Sequence, residues 1–175
     1  MKRIIVFALL LLTMGLVKQT ACAAEPAKAE SIEYTLPYPG ILPDHPLYKM
    51  KLLRDFIVER IIVEPVRKSE FYLLQADKRL EMGILLIEQE KYTLSETTIS
   101  KAEKYLEKAV SGLAAYKSVG NTIPPYVVER MSTAAAKHKE IITDLMSKAP
   151  SEVNPGFSSS LVLTESLVAE AEKLK

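Results

Sequence analysis

The stretch Ser95-Glu-Thr-Thr-Ile-Ser-Lys-Ala-Glu-Lys-Tyr-Leu-Glu-Lys-Ala-Val-Ser-Gly-Leu-Ala-Ala-Tyr-Lys-Ser-Val119 decides the fold of this chain. Within it Ile99, Ala102, Leu106, Ala109, Leu113 and Tyr116 follow one another at alternating steps of three and four residues. An α-helix turns about 100° per residue, so these steps gather the apolar side chains on one stripe and leave the intervening charges to solvent. Ser95 and Thr98 offer hydroxyls for an N-terminal cap, and Gly120-Asn121 supplies the left-handed backbone with which helices commonly end.

The same pattern repeats on both sides. Downstream, Pro124-Pro125 opens a fourth helix with Val127, Met131, Ala134, His138, Ile141 and Leu145 on one face, stopping before Pro150. Residues 150–160 hold Pro, Asn, Gly and several Ser and read as a loop, after which Leu163, Leu167, Ala171 and Leu174 predict a short fifth helix. Upstream, Pro65 interrupts and restarts the chain, and Leu73, Ala76, Leu80, Ile84 and Ile87 predict a second helix from about Val66 to Glu90, weakest at Gly83. Before that break, Leu47, Met50, Leu53, Phe56, Ile57 and Ile61 predict a first helix over about Pro46 to Val63, with Asp44 as its cap and its apolar surface contacted on more than one side. Pro37, Pro39, Pro43 and Pro46 forbid a helix interior across Tyr34–Tyr48, so this segment is extended and lies against the helices. The fold expected is all-α: an up-and-down bundle of four long helices plus a short C-terminal one, preceded by a proline-rich extended segment.

The start of the chain has a different character. Lys2-Arg3, an uncharged apolar run from Ile4 to Val17, and small residues at Ala21, Cys22, Ala23 and Ala24 stand in the order of a cleavable secretory signal peptide over residues 1–24. The run is shorter than a spanning helix needs. Residues 25–33, rich in Ala, Glu and Lys, read as a flexible linker, and 34–175 as a single domain. Cys22 is the one cysteine, and the residues before it, Lys18 and Gln19, fit a lipid-attachment site poorly; if it leaves with the leader, disulfides and thiol chemistry leave with it. Cleavage removes Lys2, Arg3 and Lys18 and no acid, turning a formal net charge of +1 into −2, which favours neither nucleic acid nor anionic lipid. A membrane is expected as a partner only if Cys22 is lipidated. The expected localisation is extracytoplasmic, periplasmic or secreted, after cleavage near Ala23 or Ala24.

The block Leu36-Pro-Tyr-Pro-Gly-Ile-Leu-Pro-Asp-His-Pro-Leu-Tyr-Lys-Met-Lys-Leu-Leu-Arg-Asp55, followed by Lys68-Ser-Glu-Phe-Tyr-Leu-Leu-Gln-Ala-Asp-Lys-Arg-Leu80, resembles the DUF5667 domain family over residues 34–119. The resemblance implies a helical extracytoplasmic module of a kind without an established activity, and it carries over no catalytic residue.

Candidate sites are few. His45 sits between Asp44 and Pro46, but one histidine and one carboxylate fall short of a metal's ligand set, and a helix-entrance role is the plainer reading. His138 falls on the apolar face of the fourth helix, where a backbone carbonyl or a tyrosine hydroxyl would ordinarily satisfy it. Asp77, Lys78 and Arg79 read as surface ion pairing, with Asp77 or Arg79 tying the second helix to the proline-rich lead-in. The tyrosines, Tyr38 and Tyr48 among them, read as core-edge residues or, alternatively, as the lining of a ligand groove with His138 or Arg79 as its polar anchor. No phosphate loop, nucleophile elbow or zinc motif is present, and neither cofactor nor metal is expected. The function expected is that of an exported, non-enzymatic helical module binding a protein partner or itself; the alternative is a small-ligand-binding bundle.

Overall fold

The computed structural model describes residues 32–175; the expected leader, Cys22 and the linker up to Ser31 lie outside the described residues. Five helices follow in order: α1 (Tyr48–Ile61), α2 (Pro65–Glu88), α3 (Tyr92–Ser118), α4 (Pro125–Lys148) and α5 (Asn154–Glu172). Among the described residues there is no strand. The fold is the expected all-α bundle, built by α2 to α5.

The stripe that opened the sequence is its core: Ile99, Ala102, Leu106, Ala109 and Leu113 have no exposed surface, and Tyr116 packs at the edge. Gly120, with φ of +88°, closes α3 in the left-handed conformation. The start of α3 differs from expectation. Ser95 is no cap; the helix begins three residues earlier, and the buried Ser95 hydroxyl donates to the Gly83 carbonyl across to α2 at 2.7 Å. Gly83 is therefore a point of close approach between these helices rather than a weak point, since a Cβ there would lie 2.4 Å from Ile99. Glu64 caps α2, accepting from the amides of Val66 and Arg67, with Pro65 in the first turn.

The most extensive helix contacts are α2 with α3, α4 with α5, α3 with α5 and α2 with α4. Around the bundle the order is thus α2, α3, α5, α4, which sets α2 diagonally opposite α5 and α3 diagonally opposite α4. Chain direction alternates as expected: the start of α2 (Val66), the end of α3 (Tyr116) and the start of α4 (Tyr126) share one end.

Three further expectations are corrected. The loop assigned to 150–160 ends at Val153, and α5 is a full-length helix whose first turn contains Pro155, where a proline's missing N–H has no intrahelical partner to lose. Phe157 and Ser160, assigned to that loop, are buried. Asp44 does not cap α1; the Leu47 amide is instead satisfied by His45 Nδ1, and Asp44 pairs with Lys91. Most important, α1 is turned the other way round. Its buried residues are Lys51 and Asp55, while Met50, Leu53, Phe56, Ile57 and Ile61 stand about half exposed or more. The periodicity was a helix's, but α1 packs its polar stripe inward: Lys51 Nζ donates to the Pro39 carbonyl at 2.9 Å, and Glu59 accepts from the Tyr72 hydroxyl.

Candidate functional site

At the centre of the bundle lies a chain of polar side chains. His138 (α4) has no exposed surface and places Nδ1 2.7 Å from Glu103 Oε1 (α3) and Nε2 3.1 Å from Asp77 Oδ1 (α2). Asp77 Oδ2 accepts from the Tyr34 hydroxyl at 2.7 Å, and Glu103 Oε2 lies 2.6 Å from the Thr164 hydroxyl (α5). Glu103 and His138 meet across one diagonal of the bundle, and every one of its four helices contributes a member. Through Tyr34 the extended lead-in is fastened to the same chain, and Ile32 N–H at its start donates to Glu140 Oε2.

Both ring nitrogens of His138 face carboxylate oxygens. An oxygen of this kind is best met by an N–H, so the geometry favours a proton on both nitrogens, the imidazolium form of the ring. Burial by itself would depress the His138 pKa, but the Glu103 charge and the hydrogen bonds to Asp77 and Glu103 outweigh it and push it up to about 9. Tyr34 is held well above the usual phenol range by burial and by the adjacent Asp77 carboxylate. Thr164 has one proton to share between Glu103 and the Ser160 carbonyl, 2.7 Å away.

This arrangement does not make a metal centre. The two carboxylates sit on opposite nitrogens of one ring and do not converge on a common point, and among the described residues no cluster of three or more His, Cys, Asp or Glu could hold an ion. Nor does it form a nucleophile and base open to substrate, because Asp77, Glu103, His138 and Thr164 are each fully buried.

The residues singled out in the sequence are dispersed. His45 is exposed at the approach to α1, and Tyr38 is 84 % exposed. Arg79 is buried, not on the surface: its guanidinium binds the Gln75 carbonyl and side chain and lies 4.2 Å from the Tyr105 ring centroid, with Tyr48 beside it. His138 belongs to the separate central chain. Asp77, assigned to the surface, is fully buried, yet it does tie α2 to the proline-rich lead-in through Tyr34. Tyr34 is one of the tyrosines read as core-edge or groove residues, whereas Glu103 and Thr164 were not singled out. The signal for Glu103 was present, since it stands four residues after Ile99 and three before Leu106, inside the apolar stripe. Asp77 stands likewise between Leu73 and Leu80.

The second feature of note is the surface beside α1. A groove of about 420 Å³ runs there, lined by Tyr38, Ile41, Leu47 and Met50 together with Lys51, Arg54 and Lys78, without an acidic residue.

The family model described as "Domain of unknown function (DUF5667)" matches residues 40–152. The match runs past the 34–119 over which the resemblance was read, through the whole of α4. The chain matches no curated protein and no solved structure.

Proposed function

Starting from a chain that belongs to the DUF5667 family, we propose that this member is an exported, non-enzymatic interaction module of the cell envelope, with α1 as the surface it presents. The observation that carries this reading is the inversion of α1. A helix that spends its polar stripe on its own bundle and turns Met50, Leu53, Phe56, Ile57 and Ile61 outward leaves an apolar ridge that no other described residue covers, and such ridges mark interaction sites. The complementary observation is that His138, Asp77 and Glu103 satisfy one another out of reach of solvent, which supports a structural rather than a catalytic use. The order of charge, apolar run and small residues over 1–24 supports export.

A photo-crosslinking residue placed at Ile57, in the chain expressed in intact cells, tests this. Adducts at position 57, with none from the same residue at Val162 on α5, are the expected outcome. Bare monomer from position 57 overturns the assignment of α1 as the interacting surface.

A further inference from the structure

Resting on that reading of α1, we infer that the surface it docks on is an anionic lipid bilayer. The layout of charge around α1 is the reason. At about 100° per residue, Met50, Leu53, Ile57 and Ile61 form a ridge along the outermost line of the helix. Lys49 and Arg60 border the ridge on one side and Arg54 on the other, all three exposed. The acids of α1 are absent from this border: Asp55 is buried, accepting from Arg54, and Glu59 is turned to Tyr72 and Lys108. The outward half of the helix is thus apolar at its crest, cationic along the Lys49 and Arg60 flank, and bordered on the other by Arg54, whose charge Asp55 partly answers. In a helix lying in the plane of a membrane, the crest enters the acyl boundary while the flanking lysine and arginine stems bend back to the headgroups.

The adjoining surface continues the pattern. Tyr38 and Ile41 extend the apolar area, and Lys51 and Lys78 line the same groove without a carboxylate among them. Arg60 lies over the Phe56 ring, 4.7 Å from its centroid, which holds its charge along the flank of the crest. A second copy of the chain fits less well. Two such ridges face to face bring Lys49 and Arg60 of one against cations of the other, while Arg54 is already engaged by Asp55 and no other acid of α1 faces that rim. The shape also argues for a deformable plane, because the crest is convex and a rigid partner would have to supply a matching groove. Among the described residues no helix is long and apolar enough to cross a membrane; the inferred contact is that of a helix lying in the interface plane. This contact comes from a local face of the folded domain. Neither the chain's overall charge nor a lipid on Cys22 enters into it.

The test reads α1 itself, so that anchoring by any other part of the chain does not count. In the full chain carrying Cys22→Ser, a polarity-sensitive fluorophore is attached through Ile57→Cys or, separately, Val162→Cys, an exposed apolar site on α5. Each protein is mixed with vesicles of phosphatidylcholine alone or with an equal part of phosphatidylglycerol. The expected result is a blue shift at position 57 on the phosphatidylglycerol vesicles, quenched by lipid-borne quenchers, with no shift at position 162. Adding Lys49→Glu and Arg60→Glu, both at exposed positions, weakens that vesicle affinity by on the order of tenfold or more while circular dichroism stays unchanged. A label at 57 that remains water-like on every vesicle overturns the inference. So does a label that becomes dry without lipid as protein concentration rises, which identifies a second copy. If position 57 stays wet on vesicles yet crosslinks to protein in cells, the interaction module stands and only the lipid surface falls. If it crosslinks to nothing in cells, both fall.

Discussion

His138 carries the clearest consequences at the scale of single residues. With a folded pKa near 9 against an ordinary 6.5, the imidazolium stabilises the fold fully below about pH 6.5 and loses that contribution as pH rises through 9. Urea unfolding followed between pH 6 and 8, below the range where Lys51, lowered to about 8 by burial, adds a contribution of opposite sign, should therefore show stability falling with pH, and in His138→Gln, which removes the titrating group, this fall should be absent. Removing the cation alone is costly: His138→Ala leaves Asp77 and Glu103 buried without their partner and should lose about 3–5 kcal/mol by the same measurement. Replacing Asp77, Glu103 and His138 together by leucine should instead be near neutral or stabilising, because no buried charge is then left unanswered. Tyr34→Phe removes a charge-assisted hydrogen bond worth about 1.5–3 kcal/mol and should raise hydrogen exchange over residues 34–39. Of this, the sequence offered only Asp77 as a tie between the second helix and the lead-in, borne out by its bond to Tyr34. A histidine on an apolar stripe announces burial, but which partners answer it depends on how α2, α3 and α4 are arranged, and local periodicity does not specify that arrangement.

At the scale of elements, α2, α3 and α4 were legible because their apolar stripes are also their buried stripes, and prolines at 65, 124 and 125 mark where two of them begin. Two elements were not read correctly, for different reasons. Serines and a glycine at the start of α5 carry turn propensity, and the burial of Phe157 and Ser160 against the bundle overrides it. In α1 the helical period was right and the facing wrong, because period alone does not say which side of a helix meets the core; Lys51 and Glu59 find partners inward, the Pro39 carbonyl and the Tyr72 hydroxyl, that the apolar residues do not. The difference is measurable. Ile57→Lys should change unfolding free energy by no more than about 0.5 kcal/mol, whereas Leu106→Ala, on a stripe that is truly core, should cost about 2–5 kcal/mol. Gly83→Ala should cost about 1–3 kcal/mol, since the added methyl overlaps Ile99 unless α2 and α3 separate. Because α1 is held mainly by polar contacts, its amides should exchange faster than those of α2 and α3.

Seen as a whole molecule, the bundle consists of two hairpins, α2 with α3 and α4 with α5, joined by the short link around Gly120. The central chain divides between them unevenly. Both carboxylates, Asp77 and Glu103, come from the first hairpin, and the groups that donate to them, His138 and Thr164, from the second. Each hairpin is thus an incomplete half that recognises its complement by hydrogen-bond polarity as well as by shape. Two first hairpins brought together would set acceptor against acceptor, and two second hairpins would set donor against donor. A chain cut at Gly120 should yield fragments that refold with each other in equal amounts and with neither copy of themselves. In Glu103→Leu/Asp77→Leu fragments that selectivity should weaken, as read by native mass spectrometry. The buried ion chain then acts as a mating key: it sets which halves are allowed to combine, whatever its net contribution to how tightly they hold.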